Sequence, residues 1–251
     1  MPLTDTVIAH FLQIEMGLYH AYVRLQARTD GEALHDLRIN LRRLRSLLRP
    51  LRKITDVAEL EAVTAQLTAL TTPARDLEVL IHELAQQGYT TQGKTRTTRL
   101  HQHYAEICQS TLFEQLFSLS NQWPANLRAA ERAGELRKLK KHIKQKLGKQ
   151  LKRLRQALAM PQSDLHHLRL LIKLARYASE AYPALSPYSK RASEALKLAQ
   201  TILGDWHDHF QWCLQTTLQP DLQKLLPTWQ LATETALANA EKQLPKLADL
   251  L

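Results

Sequence analysis

Leucine or isoleucine recurs every three or four residues at positions 34, 37, 41, 44, 48 and 51, and again at 136, 139, 143, 147, 151, 154 and 158. That spacing lays one apolar stripe along an α-helix and cannot stay on one face of a strand, whose side chains alternate with a period of two. Strand-like alternation of Val, Ile and aromatics is hard to find elsewhere. Seven Gly among 251 residues, with Leu, Ala, Gln, Lys and Arg abundant, is the composition of a helix former. The expected fold class is therefore all-α. No run approaches the roughly 18 consecutive apolar residues of a membrane span, and the N-terminal MPLTDTVIAHFLQIEMG has neither the basic region nor the cleavage site of a signal peptide. Cys108 and Cys213 form no CxxC, which removes a disulfide framework or zinc knuckle as the organising device. A cytoplasmic protein without membrane association is expected.

Turn signals divide the chain into expected helices at 3–28, 31–53 and 56–70. Another runs from an N-cap at Thr72, with Pro73 at the first helical position, to about residue 87. A polar linker at 88–95, a helix at 97–120 and a boundary at Trp123-Pro124 follow. The second half is read as helices at 127–159, 165–182 and 187–203, with a turn and N-cap at 161–164, and a last stretch from Asp221 interrupted by Pro227 and Pro245. An offset of 131 aligns Gly17 with Gly148, Arg24 with Arg155, His35 with His166, Arg38 with Arg169, Arg42 with Lys173 and Arg45 with Arg176; an offset of 132 aligns Asp76 with Asp208. One indel and seven matches in register read as an internal duplication, with halves at 1–126 and 127–251.

Charge is concentrated. The net +10 comes from 34 Lys and Arg against 24 Asp and Glu; residues 128–155 alone carry +10, residues 35–53 carry +6, and the remainder carries −6. At about 100° per residue, His35, Arg38, Arg42, Arg45 and Arg49 fall within an arc of about 80°, beside the leucine seam rather than opposite it. His166, Arg169, Lys173 and Arg176 repeat the spacing. Lys141, Lys144, Lys152 and Arg155 hold a similar arc with Arg137, and Gly148 lies in its middle. A solvated helix face mixes signs, whereas these stripes contain no acid, and like-charged neighbours cost a few tenths of a kcal/mol each. A polyanion relieves that cost, Arg offering bidentate geometry and Lys a point charge. Gly17 and Gly148, inside helices, point to close approach by a ligand or a neighbouring helix.

The segments LHDLRINLRRLRSLL and ARDLEVL, followed by LHHLRLLIKLARYASE and ALKLAQTILGDWHD, resemble the CHAD domain family in order and spacing over essentially the whole chain. The resemblance implies two four-helix bundles related by a pseudo-twofold, with basic faces lining a central channel or groove. It also implies binding of inorganic polyphosphate without catalysis, in some members at polyphosphate granules. Small anions such as sulfate or phosphate are expected to occupy the same site. From the family pattern, His35, Arg38, Arg42 and Arg45 carry over in the first half, and His166, Arg169, Lys173, Arg176 and Lys197 in the second. Arg24 joins them through its match with Arg155. No appended enzymatic domain is expected, and the chain departs from the pattern in having His10 and Gln13 opposite Lys141 and Lys144 and in carrying Trp206-His207 before the motif Asp208.

No catalytic residue, metal or cofactor is expected: the eleven His contain no i, i+4 pair, and no Gly-rich phosphate loop is present. Asp76 and Asp208 are read as partners of Arg or of a helix N-terminus, and the four Trp as packing residues. Two rival readings are a nucleic-acid binder, disfavoured by an aromatic content of 6% and the lack of a recognition motif, and an enzyme using His35 or His166 on polyphosphate.

Overall fold

The computed structural model describes residues 2–52, 55–160 and 164–251. Every regular element is a helix: α1 (Leu3–Ala27), α2 (Ala33–Leu48), α3 (Thr55–Leu70), α4 (Thr72–Gln86), α5 (Thr90–Gln109), α6 (Leu112–Arg132), α7 (Leu139–Leu158), α8 (Leu165–Ala181), α9 (Lys190–Gln215) and α10 (Leu226–Leu250), with short 3-10 turns at Arg49–Leu51, Pro183–Leu185 and Pro220–Leu225. The chain falls into two compact units, Met1–Ile143 and Lys144–Leu251. The expected all-α class is what the chain adopts. Lys53 and the expected turn at 161–163 lie outside the described residues.

In the first unit, α1 packs against α2, α5 and α6, α2 against α3, α3 against α6, and α4 against α5. The leucine seam is its core: Leu34, Leu37, Leu41, Leu44 and Leu48 are buried, beside Phe11, Leu18 and Trp123. In the second unit, Leu154 and Ala157 of α7, Leu168 and Ile172 of α8, Leu196 and Leu203 of α9, and Ala240 and Leu247 of α10 form one cluster. Trp212 and Trp229 pack with ring centres 5.5 Å apart. Trp206 is half-buried and stacks on the exposed Phe210.

Several boundaries differ from the sequence expectation, each for a local reason. The linker at 88–95 is mostly helical: Gly88, at φ 81°, ends α4, and α5 starts at Thr90. The single helix at 97–120 is two helices, because Ser110 is extended and its hydroxyl accepts from the Leu112 N–H at 3.3 Å. Trp123-Pro124 is no boundary; α6 runs through it to Arg132, burial of Trp123 and Leu127 outweighing the hydrogen bond that Pro124 cannot donate. The 127–159 helix accordingly begins later, at Leu139. Helix α9 starts after Ser189, whose hydroxyl accepts from the Ala192 N–H, and continues past Leu203 to Gln215. Pro227 lies in the first turn of α10, where no N–H is needed, and Pro245 sits inside that helix without ending it.

Burial follows the expected offsets only in part. Leu37, Leu41, Leu44 and Leu47 of α2 have buried counterparts 131 residues on in Leu168, Ile172, Ala175 and Ala178 of α8. Leu60, Leu67 and Leu80 have counterparts 132 residues on in Ala192, Ala199 and Trp212 of α9. Between α1 and α7 the offset of 131 fails: Ile14, Leu18 and Leu25 are buried, whereas Gln145, Lys149 and Gln156 are exposed.

Candidate anion-binding site

Three helices carry the basic residues singled out by spacing. Along α2 and into the turn that follows it, His35, Arg38, Arg42, Arg45 and Arg49 are all half-buried, since the stripe lies beside the leucine seam and borders the packing with neighbouring helices. Arg38 is held by three hydrogen bonds. Its Nη1 donates to Thr71 Oγ1 at 2.8 Å, to the Thr68 carbonyl at 3.1 Å and to Thr72 Oγ1 at 3.1 Å. Thr71 and Thr72 in turn donate to the carbonyls of Leu67 and Thr68 at 2.9 and 2.8 Å. These hydroxyls bond back to α3 and give α4 no side-chain cap, contrary to the N-cap expected at Thr72.

The stripe is electrostatically crowded. Burial, then Arg42 and Arg75, lowers the Arg38 pKa to about 10, against a pull from Asp76 and Glu78 in the opposite direction. Burial, then Arg75 and Arg42, lowers His35, with Glu32 and Asp36 opposing. Burial, then Arg45 and Arg52, lowers Arg49, with Glu61 opposing. The buried Nε atoms of Arg38 and Arg45 have no hydrogen-bond partner among the described residues. Asp76 thus acts on Arg38, as expected of a charge partner.

On α8, the N-cap Asp164 accepts from the His166 N–H at 2.9 Å, placing His166 as the second residue of the helix. His166 is exposed, while Arg169, Lys173 and Arg176 are half-buried. Arg176 Nε donates to Glu180 at 2.8 Å, and the two line a groove between α8 and α9 with Lys197, Lys190 and Glu194. His207 of α9 lies beside His166, ring centres 5.3 Å apart. Burial, then Arg169, His166 and Lys173, lowers the His207 pKa to about 4.

On α7, Lys141, Lys144, Lys152 and Arg155 are exposed, and the apolar seam opposite them is anchored by Ile143, Leu147 and Leu154. The two helix glycines part company here. A Cβ on Gly17 would stand 2.8 Å from the Asn40 side chain of α2, so that glycine is a helix-packing notch; around Gly148 nothing lies within 4 Å. Their common offset therefore does not reflect a common role.

Arg24 sits apart from the stripes. It donates to Asp30 through Nε at 2.8 Å and Nη2 at 2.5 Å, and to Asp36 through Nη1 at 2.7 Å, tying the end of α1 to the start of α2. Its charge is matched by two carboxylates. Two groups not among the expected site residues act on them or stand beside them: Arg75, held by Glu78 at 2.9 Å and acting on His35, and His207, noted from sequence only as a departure before Asp208. The offset of 132 pairs these two positions and is the signal that could have found them. Among the described residues, no three His, Cys, Asp or Glu side chains gather as metal ligands do, and no helix is long and apolar enough to cross a membrane.

Residues 17–217 match the family model of the CHAD domain. Among solved structures, the chain is similar to the crystal structure of the CHAD domain from the plant Ricinus communis, with a TM-score of 0.67 and 20% sequence identity over 99% of this chain and 92% of that one. At that identity the likeness concerns the fold. No curated protein matches the chain.

Proposed function

This chain belongs to the CHAD domain family, and we propose that it binds inorganic polyphosphate, without turning it over, through the cationic faces of α2, α7 and α8. The observation that carries the reading is the crowding of half-buried cations along α2 and the turn at its end: Arg38, His35 and Arg49 are each displaced towards their neutral forms by burial and by other cations. Such a surface is destabilised by its own charges and becomes favourable when an anion supplies the missing counter-charge. Arg42, Arg45, Arg49, His35 and Arg38 in the first unit, and His166, Arg169, Lys173, Arg176 and Lys197 in the second, offer repeated donors to a chain carrying about one charge per phosphate. Lys141, Lys144, Lys152 and Arg155 add exposed point charges suited to following a flexible ligand. Recognition on this account reads charge density, so sulfate or phosphate ions are weak occupants of the same positions. Arg24 contributes by fixing the α1–α2 corner rather than by gripping the ligand.

Long-chain polyphosphate added at low salt should raise the melting temperature, since it binds the folded state. Nucleic acid at equal phosphate concentration should fail to displace it, and incubation with a divalent cation should release no orthophosphate. Displacement by a duplex or single strand would favour a nucleic-acid partner instead, and phosphate release would favour an enzyme.

A further inference from the structure

His207 belongs to none of the three basic helices, yet its ring centre lies 5.3 Å from that of His166 and it is acted on by Arg169 and Lys173. These three residues, all on α8, are the titratable and charged groups that displace it; Asp208 follows it on α9, and no group of α7 or α10 is among the causes of its displacement. In the first unit the position 132 residues earlier is Arg75, which acts on His35, and in the second unit His207 is the ring that His166, the counterpart of His35, acts on. Arg75 carries its charge permanently. His207 does not: half-buried among cations, it is held neutral, its pKa lowered to about 4. A neutral imidazole donates from one nitrogen only, whereas the imidazolium donates from both and adds a charge.

An oxyanion beside Arg169 and Lys173 cancels the field that keeps the ring neutral and favours its protonated form. Resting on the reading that the α8 face takes polyphosphate, we infer that His207, set against His166, is a further anion contact of the second unit. Binding there takes up a proton, so affinity rises as pH falls, by at most about tenfold per pH unit for that one proton.

The test follows the imidazole signals of the full chain by NMR, with His207→Asn assigning the resonance, in sodium sulfate and in sodium chloride of equal ionic strength. The expected result is a His207 titration displaced upwards by about one unit or more in sulfate, and displaced similarly by polyphosphate. In parallel, polyphosphate affinity measured from about pH 8 to about pH 5 should rise less steeply for His207→Asn than for wild type. A His207 titration unmoved by sulfate, or an unchanged pH slope in His207→Asn, overturns the inference. If polyphosphate fails to bind while sulfate still displaces His207, the polyphosphate reading falls and the inference stands for a smaller oxyanion. If polyphosphate binds with His207 unmoved, the inference falls alone.

Discussion

Arg38 donates to the hydroxyl of Thr71 at 2.8 Å, and through that contact the basic helix α2 is fastened to the corner between α3 and α4. The same guanidinium is thus a structural latch and a member of the cationic stripe. Charged hydrogen bonds of this kind contribute about 1.5–3 kcal/mol.

Arg38→Ala should therefore destabilise the protein by about 2 kcal/mol in urea unfolding, weakening anion binding and stability together. Arg42→Ala, on the same stripe, should weaken binding with a smaller loss of stability. Equal unfolding midpoints for the two variants would contradict the latch.

The helix glycines give a pair of contrasting expectations. Gly17→Ala drives a Cβ to 2.8 Å from Asn40, whose Nδ2 donates to the Asp36 carbonyl at 3.0 Å; shifting that bond costs about 1 kcal/mol, which cancels the helix-propensity gain and leaves no net stabilisation. Gly148→Ala meets open space and should stabilise by about 0.5–1 kcal/mol through helix propensity. Thermal melts of both variants check the signs, and a stabilising Gly17→Ala would refute the notch.

Stability should fall on acidification in two stages. His35 and His207 have pKa values below the ordinary 6.5, so the unfolded chain binds their protons first and stability declines as pH drops below about 6.5. Asp30 is displaced in the same direction, by hydrogen bonds from Arg24 and then Thr29, so its contribution is present above about pH 4 and is lost below it. Melting temperature followed against pH should show a shallower upper limb in a His35→Asn/His207→Asn variant and a shallower lower limb in Asp30→Asn. Unchanged limbs would contradict the assignments.

Arg24→Gln should lower the melting temperature by releasing Asp30 and Asp36. It should leave the salt dependence of polyphosphate binding as in wild type, because its charge is already matched. A reduced salt slope in Arg24→Gln would make it a ligand contact.

Periodicity made α2 and α8 legible because one repeat fixes both the buried leucines and the basic stripe beside them; Leu37 and Leu168 are buried at the offset that aligns His35 with His166. The offset misled at Gly17 and Gly148, where residue identity matches but the neighbours do not. Helix breaks were the hardest feature to read. Pro124 and Pro245 look like stops but lie inside helices, while Ser110, which carries no such signal, ends one. The pairing of Arg24 is set by a loop aspartate and by Asp36, contacts that a helical wheel does not represent. His207 read from sequence only as a departure before Asp208, because it lies on α9 and its meaning comes from Arg169 and Lys173 of α8.

The most direct measurement is a titration of long-chain polyphosphate against wild type and an Arg42→Ala/Lys173→Ala variant at several salt concentrations. About six phosphate contacts give a log–log slope near −4 on the single-strand scale, so wild-type affinity should fall by roughly two orders of magnitude between about 50 and 200 mM salt. The variant should bind more weakly and with a slope shallower by about 1 to 2. Equal affinity and slope for the two proteins would place the binding surface elsewhere, and no binding by wild type at low salt would contradict the account at its centre.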